Sequence, residues 1–277
     1  MNKPNEIIEA NIINAERKVN LPIFRMMVLG MMAGAFIAIG AVASSTAAFS
    51  ISNEGLARVV SGCIFPIGLI LITFIGGELF TGNCLASMGA MNKKFGWKKM
   101  MRALCIVWIS NFIGAVVICV LTYYSGNMDI SDGALGAYVI KVALHKSTLS
   151  FAEGVTSGIL CNVLVCTAIL LAGASKDVVG KICGIFFPIA TFVIGGFEHC
   201  VANMYYIPAG MMAAGNPEYA AKASELYGIT ADQLSNLNTM NMFSNLLPVT
   251  IGNVIGGVLF VGLPCYYVYR NNLRIVK

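Results

Sequence analysis

Residues 195–203, with the sequence Gly-Gly-Phe-Glu-His-Cys-Val-Ala-Asn, interrupt an apolar run that is long enough to span a membrane. A glycine pair weakens a helix because glycine loses more backbone entropy on folding than other residues do. Glutamate and histidine are expensive in hydrocarbon, so Glu198 and His199 are candidates for function. This stretch therefore predicts a broken transmembrane helix with polar groups at the break.

An imperfect copy of the stretch occurs in the first half of the chain, at residues 75–83 (Ile-Gly-Gly-Glu-Leu-Phe-Thr-Gly-Asn). A Phe-Pro-Ile tripeptide precedes each copy, at 65–67 and 187–189, and in each an Asn follows the Glu by five residues. Two interrupted hydrophobic segments at matching places in two halves point to a binding or translocation site near the bilayer midplane.

The composition places the chain in a lipid bilayer. Of its 277 residues, 57% are hydrophobic and only 11% are charged, whereas soluble domains carry about 25% charged residues. This apolar balance excludes nucleic-acid binding. The nine cysteines include no pair spaced as a redox or zinc motif, which favours small buried hydrophobes within the spans. Two histidines argue against haem or a histidine-rich metal site, so no metal or cofactor is expected.

The hydropathy pattern predicts an all-α protein with six transmembrane spans. The second and fifth are too long for one crossing of about 20 residues, and we interpret each as two half-helices around an irregular loop. An amphipathic helix at residues 4–19 precedes them, either in the membrane interface or over a partner subunit. The spans lie at about residues 23–50, 57–90, 103–125, 151–173, 182–214 and 245–268.

Basic residues set the orientation, because cytoplasmic loops carry an excess of Lys and Arg. Six spans put both termini on one side, and 14 of the 18 basic residues fall on that side. We therefore expect a multi-pass protein of the cell membrane with both termini cytoplasmic. The residues on the other side are Arg58, Lys141, Lys146 and Lys222; the cytoplasmic set lies at the N-terminus, in the 91–102 loop, at Lys176 and Lys181, and in the tail at Arg270, Arg274 and Lys277.

Further matches extend the repeat. Gly30 and Gly34 in the first span match Gly154 and Gly158 in the fourth, and the segment around Asn111 resembles that around Asn253. Three spans per half is an odd number, so the halves insert in opposite directions as an inverted repeat. The prediction is one channel domain, in which an amphipathic helix (1–21) precedes the first repeat (22–125) and the second repeat (149–269).

The polar residues of the broken spans have two interpretations each. Glu78 and Glu198 are placed to cap half-helix N-termini, where a carboxylate meets free N–H groups. His199 follows its break directly and is expected to face the pore, where it can change charge as a permeant passes. Lys146 is either a snorkelling interfacial lysine or part of an electropositive mouth that attracts anions. Asn162 and Asn253 are expected to tie helices together.

Large apolar side chains lie on or near the broken spans. Side chains of this kind usually pack in a protein core, but rings of them can also gate a pore by dewetting. Small Gly and Ala residues on the helix faces are expected to pack subunits together. The apolar candidates are Phe65, Leu69, Leu79, Phe80, Val165 and Phe192.

Three motifs resemble the formate/nitrite transporter family: Gly-Gly-Glu-Leu-Phe-Thr (76–81), Gly-Phe-Glu-His-x-x-Ala-Asn-Met-x-x-Ile-Pro-x-Gly (196–210) and Pro-Val-Thr-Ile-Gly-Asn-x-Ile-Gly-Gly (248–257). The resemblance covers nearly the whole chain and, within the family, is strongest to the clostridial hydrosulfide channels. It implies an aquaporin-like protomer, a homo-pentamer, one pore per protomer, and passage of small monovalent anions or their conjugate acids. Glu78 stands where formate-type members often have Asp.

The same resemblance assigns roles to residues. It places the central pore pair at Thr81 and His199, the vestibule lysine at Lys146, and pore asparagines at Asn162 and Asn253. It places the constrictions at the six apolar candidates Phe65, Leu69, Leu79, Phe80, Val165 and Phe192.

The sequence thus predicts a channel for hydrosulfide, with formate or nitrite as alternatives, or a proton-coupled transporter of the same anions. A membrane-embedded enzyme is disfavoured, because Glu198 and His199 are adjacent and would point about 100° apart on a helix. If His199 lends a proton to the permeant, replacement by Asn is expected to flatten the pH dependence of flux.

Overall fold

The computed structural model describes residues 1–274, and the regular structure of this part is entirely helical. The helices are α1 (Pro4–Val19), α2 (Ile23–Ala48), α3 (Glu54–Ile64), α4 (Ile67–Ile75), α5 (Phe80–Asn83), α6 (Ser87–Met91), α7 (Trp97–Tyr124), α8 (Ala134–Ser147), α9 (Phe151–Ala174), α10 (Val178–Ile194), α11 (Cys200–Ala214), α12 (Pro217–Tyr227), α13 (Ala231–Leu234), α14 (Thr239–Ile255) and α15 (Leu263–Tyr269), with a π-helical segment Gly256–Gly262 between the last two.

Six spans, of which the second and fifth are broken, are confirmed. In residues 1–274, five helical segments are long and apolar enough to cross a membrane: Ile23–Ala48, Glu54–Ile75, Trp97–Tyr124, Phe151–Ala174 and Thr239–Asn272. The broken fifth span consists of the 17-residue α10 and the 15-residue α11. The second breaks after α4, and its shorter half begins at α5.

Several boundaries differ from the predicted ones at the polar ends of the spans; helix α14, for example, begins at Thr239 and not near residue 245. Helix α7 begins at Trp97, so Lys98, Lys99 and Arg102 lie on its first turns and not in a loop. The polar segment before the fourth span contains α8, which buries an apolar face. Hydropathy locates the hydrocarbon-spanning part of a helix and misses turns that continue into the interface.

Glycines bring the unbroken helices of each half into close contact. A Cβ on Gly34 of α2 would lie 2.0 Å from the carbonyl oxygen of Asn111 in α7, and one on Gly252 of α14 would lie 2.2 Å from that of Val155 in α9. Only glycine permits this backbone approach. These glycine faces are buried within the chain, so the prediction that they pack subunits together is wrong for them.

The segments predicted to be cytoplasmic lie together on one face. The backbone N–H of Asn2 donates to the carbonyl of Ala174 at the end of the fourth span at 2.8 Å. Lys99 at the start of α7 hydrogen-bonds Asn20. Helix α1 packs across this face of its own protomer and buries Ile8, Ile12, Ala15 and Val19. The basic residue Lys277 lies outside the described residues.

The segments predicted to lie on the other side also contact one another. Tyr219 of α12 hydrogen-bonds Asp129, which precedes α8. The Lys141 ammonium lies 4.7 Å from the ring centre of Tyr227. The two polar connections therefore form a single cover over the face opposite α1.

Eight of the nine cysteines fall into two groups, and the ninth, Cys265, is partly buried. Five are buried, as the sequence predicts for small hydrophobes: Cys84, Cys119, Cys161, Cys166 and Cys200. For Cys63, Cys105 and Cys183 that prediction is wrong, because their side chains lie on the outer surface of the helices. Hydrophobicity alone does not separate a core face from a face turned to lipid, since both are apolar.

Candidate functional site

The two breaks have the same backbone pattern. After α4 the chain is non-helical through residues 76–79, and after α10 it is non-helical through residues 195–199. Gly76 has φ 104° and Gly196 has φ 70°, a region that is strained for residues with a Cβ. The chain then re-enters a helix at Phe80 and at Cys200.

Two asparagines satisfy the backbone at the breaks. Asn111 accepts the Phe80 N–H at 2.9 Å and donates to the carbonyls of Gly30 (2.7 Å) and Glu78 (2.9 Å). Irregular backbone at membrane depth needs such partners, because hydrocarbon offers none.

Asn253 makes the same three contacts in the second half. It accepts the Cys200 N–H at 2.9 Å and donates to the carbonyls of Gly158 (2.8 Å) and Glu198 (3.0 Å). The inverted repeat therefore extends to individual hydrogen bonds. These bonds make Gly158 the equivalent of Gly30, so the match of Gly34 with Gly158 that the sequence suggested is wrong by one helical turn. Asn253 ties helices together here, as the sequence analysis expected.

The two glutamates do not cap the half-helices, and this prediction is wrong. Glu78 accepts from the Asn83 amide at 2.7 Å and pairs with Lys18 at 3.1 Å. The helix N–H groups are instead taken by the asparagines described above, which leaves the carboxylate free to bind side chains. Lys18 comes from α1, so the N-terminal helix contributes directly to the site.

Glu198 has the corresponding partners on the other face. It accepts from the Asn203 amide at 2.5 Å and pairs with Lys146 at 2.8 Å. The Lys146 side chain is 13% exposed, so this is a nearly buried ion pair and not a snorkelling lysine. The Asn203 amide also donates to Asn245, and the Asn245 amide donates to the Lys146 carbonyl.

A cavity lies on each side of the breaks. The first, of about 660 Å³, contains Lys18 and Glu78 and is called here the Lys18 cavity; its wall also includes Arg17, Arg25, Leu69 and Leu79. The second, of about 700 Å³, is the Lys146 cavity, whose wall includes Lys146, Glu198, Arg58, Lys141, Phe65, Phe192 and His199. Basic side chains outnumber acidic ones in both walls, which favours anions.

Four of the six apolar candidates lie in the cavity walls. On the Lys146 side, Phe65 and Phe192 pack edge to face with ring centres 5.5 Å apart. On the Lys18 side, Leu69 and Leu79 are buried in the wall. The remaining predicted constriction residues, Phe80 and Val165, are buried and lie in neither wall.

The polar contact beside these residues joins the two halves of the chain. Thr81 Oγ1 lies 2.9 Å from His199 Nε2, and both side chains are buried. His199 stacks on Phe192 with ring centres 5.8 Å apart. Asn162 donates to the Thr81 carbonyl at 3.2 Å and to the Asn253 carbonyl at 2.6 Å, so it anchors the short α5 against α14.

The contacts of His199 indicate which ring nitrogen carries the proton. His199 precedes α11, and its Nδ1 accepts the backbone N–H of Ala202 at 3.1 Å. A nitrogen that accepts holds no proton, so the proton of the neutral ring is on Nε2, which faces Thr81. A charged imidazolium would lose the Nδ1 acceptor next to the positive end of a helix. The geometry therefore favours a neutral histidine that donates through Nε2.

Several partners in this site were not assigned from the sequence: Lys18, Asn83, Asn111, Asn203 and Asn245. Asn83 and Asn203 had a signal, because each follows its glutamate by five residues. Asn111 had one as well, in its match to Asn253. Lys18 and Asn245 had none, because their contacts span 65 and 42 residues to Asn83 and Asn203 respectively.

Comparisons with known proteins agree with this architecture. Residues 5–267 match the family model described as formate/nitrite transporter. A probable formate transporter of Methanothermobacter thermautotrophicus is 35% identical over 92% of both chains. The formate channel FocA of Escherichia coli K12 is also 35% identical, over 87% of this chain and 85% of that one.

Solved structures give the same result. A pentameric formate channel with formate bound has a TM-score of 0.78 at 28% identity and covers 90% of this chain and 98% of its own. An ion channel of the same family has a TM-score of 0.81 at 28% identity and covers 95% and 98%. These proteins are channels and transporters, not enzymes. The chain therefore belongs to the formate/nitrite transporter family.

Proposed function

We propose that this protein is a channel that passes small monovalent anions, or their conjugate acids, and that formate is its permeant. The observation that carries the proposal is the Thr81–His199 contact, which joins the two broken spans between two basic cavities. The relatives named formate channels support formate over hydrosulfide, which the sequence analysis placed first.

The cavities concentrate the anion on either side of the membrane. Each offers a lysine whose partner is a buried glutamate, so the wall attracts an anion without trapping it on an isolated charge. A bare anion is expensive to bury without a partner. The apolar pairs Phe65–Phe192 and Leu69–Leu79 strip its water, and they set the barrier of the path.

The central pair lowers that barrier. Nε2–H of His199 donates a hydrogen bond, and the Thr81 hydroxyl proton has no acceptor among residues 1–274. Both donors can turn toward a passing anion. In this proposal a proton that crosses with the permeant comes from solution, since a neutral His199 has none to lend; the proton-coupled alternative then needs no titrating residue at the centre.

Three further features belong to the proposal. The chain forms one channel domain, with the N-terminal helix over one face. The face that carries α1 is cytoplasmic, which the distribution of basic residues supports. The assembly is a homo-pentamer, which the pentameric formate channel among the solved relatives supports.

A liposome flux assay tests the proposal. Purified protein in liposomes is expected to pass formate chemically unchanged, and to pass chloride far more slowly. Hydrosulfide and nitrite are measured in the same vesicles. Equal permeability to formate and chloride, or no flux of any of these anions above empty liposomes, would refute the proposal. Native mass spectrometry in detergent tests the pentamer.

A further inference from the structure

The two cavities differ in one respect that the inverted repeat makes visible. The match of Glu78 with Glu198 pairs Ala86 with Tyr206. Tyr206 is in the wall of the Lys146 cavity, where Ser45 also lies, and Ala86 is in the wall of the Lys18 cavity. This pair of equivalent wall positions therefore carries a phenol on one side and a methyl group on the other.

The Tyr206 ring lies close to the lysine. Lys146 Nζ is 5.2 Å from the centre of the Tyr206 ring. Ser44 and Ser45 are the side-chain hydrogen-bond neighbours of the Tyr206 hydroxyl, and both serines are buried. A lysine, a phenol and a serine hydroxyl thus line the same cavity.

This wall retains unused donors. Lys146 has three N–H groups, and among residues 1–274 only Glu198 accepts from its ammonium. Ser44 donates to the Ser61 carbonyl at 3.3 Å. Ser45 and Tyr206 lie beside each other, so one hydroxyl can donate to the other and the pair keeps one hydroxyl proton for an outside acceptor. Buried donors beside a cation are suited to an anion that accepts several hydrogen bonds at once.

We propose that Lys146, Tyr206 and Ser45 form an anion subsite that selects small oxyanions, such as a monocarboxylate or nitrite, over hydrosulfide. Two oxygens of an oxyanion can accept from the ammonium and from a hydroxyl at the same time. Hydrosulfide has a single acceptor atom, a large sulfur, so it cannot accept from the ammonium and the hydroxyl through two separate atoms and gains less from the subsite. The subsite rests on the proposed function, and it adds the chemical class of the permeant and the side on which selection occurs.

The test compares anions in the same liposomes. Hydrogen bonds to charged groups are strong enough to change affinity on the order of tenfold. We therefore expect Tyr206→Phe to raise the half-saturating formate concentration about tenfold. The hydrosulfide flux of the same variant is expected to change less than about twofold. Ser45→Ala is expected to act in the same direction, and the double variant most strongly. Formate supplied on the Lys146 side should show the effect, and formate supplied on the Lys18 side should show less of it.

Tyr205→Phe is the matched control, since Tyr205 is 1% exposed, sits on the same helix and lies in neither cavity wall. It is expected to leave the formate-to-hydrosulfide ratio unchanged. The subsite is overturned if Tyr206→Phe and Ser45→Ala lower the fluxes of formate and hydrosulfide by the same factor. That result would not contradict the proposed channel function. A parent protein without anion flux would overturn both the channel function and the subsite.

Discussion

Asn111 and Asn253 hold the two broken spans through the same three hydrogen bonds, and this symmetry brings Thr81 and His199 into contact. The two residues in contact are not themselves equivalent in the repeat. The match of Glu78 with Glu198 pairs His199 with Leu79 and Thr81 with Val201. The polar centre is therefore a departure from symmetry, built on a symmetric frame.

His199→Asn is expected to keep the fold and lose selectivity. Asn is a good helix N-cap, so it can still accept the Ala202 N–H, but its shorter side chain does not reach Thr81. We expect weaker discrimination between formate and chloride in liposomes. Because His199 is a neutral donor, the anion flux of the variant should still depend on pH as the permeant's own pKa dictates. The flattened pH profile that a proton-lending histidine would give is therefore not expected. An inflection present in the parent and lost in His199→Asn would contradict the neutral histidine.

Lys146→Gln is expected to slow anion flux and to destabilise the protein. It leaves the Glu198 carboxylate buried without its cation, which costs about 3–5 kcal/mol of unfolding free energy when a buried pair is broken. Flux should also lose sensitivity to ionic strength, since charges are screened beyond about 8 Å at physiological salt.

The double variant Lys146→Gln/Glu198→Gln should recover much of the thermal stability without recovering the flux. Lys222→Gln is a suitable control, because Lys222 pairs with the exposed Glu225 at 3.0 Å and should change stability by less than about 1 kcal/mol. Normal flux at low salt in Lys146→Gln would exclude a role for the lysine in attracting anions.

Gly34→Ala is expected to destabilise the first half of the protein. Its methyl group would lie 2.0 Å from the Asn111 carbonyl oxygen, so α2 and α7 must separate. Overpacking of this kind costs about 1–3 kcal/mol of unfolding free energy. It also displaces Asn111, which holds the backbone of the first break. Gly96→Ala is the control, because nothing lies within 4 Å of its Cβ position. Thermal unfolding in detergent is the measurement, and equal midpoints for the two variants would disprove the close approach.

Labelling of single cysteines tests the orientation. In a cysteine-free background, a membrane-impermeant thiol reagent applied to intact cells should modify cysteine at position 232 and not at position 96. Gly96 directly precedes α7, between Lys94 and Lys98, and Asp232 lies in α13 on the opposite face; both are exposed. Labelling at position 96 alone would mean that the chain inserts the other way round.

Replacement of Asn111 or Asn253 by Ala should destabilise the protein to a similar degree. Each amide makes three buried hydrogen bonds, and unsatisfied buried groups cost about 1–3 kcal/mol each. Thermal unfolding of the two variants is to be compared with that of Asn238→Ala, whose side chain accepts from the exposed start of α14. A large difference in unfolding temperature between Asn111→Ala and Asn253→Ala would show that the two asparagines do not contribute equally to stability.

The sequence by itself determined the membrane class, the six spans, the two breaks and the inverted repeat. These follow from local properties: an apolar run of sufficient length, a glycine pair inside it, and a motif that recurs. The face of α1 that is buried was also readable, because Ile8, Ile12, Ala15 and Val19 recur at helical spacing. The family resemblance then directed attention to Thr81 and His199.

Only the tertiary structure decided how the polar groups are paired. Glu78 could cap a helix or bind a lysine, and the choice depends on Lys18 in a helix 60 residues away in the chain. The tautomer of His199 depends on a backbone N–H and a threonine from the other half. Whether an apolar surface faces lipid or protein likewise depends on its neighbours, as Cys63 and Cys161 show. Hydrogen bonds and ion pairs act over about 3 Å, and only the folded chain brings residues so far apart in sequence to that distance.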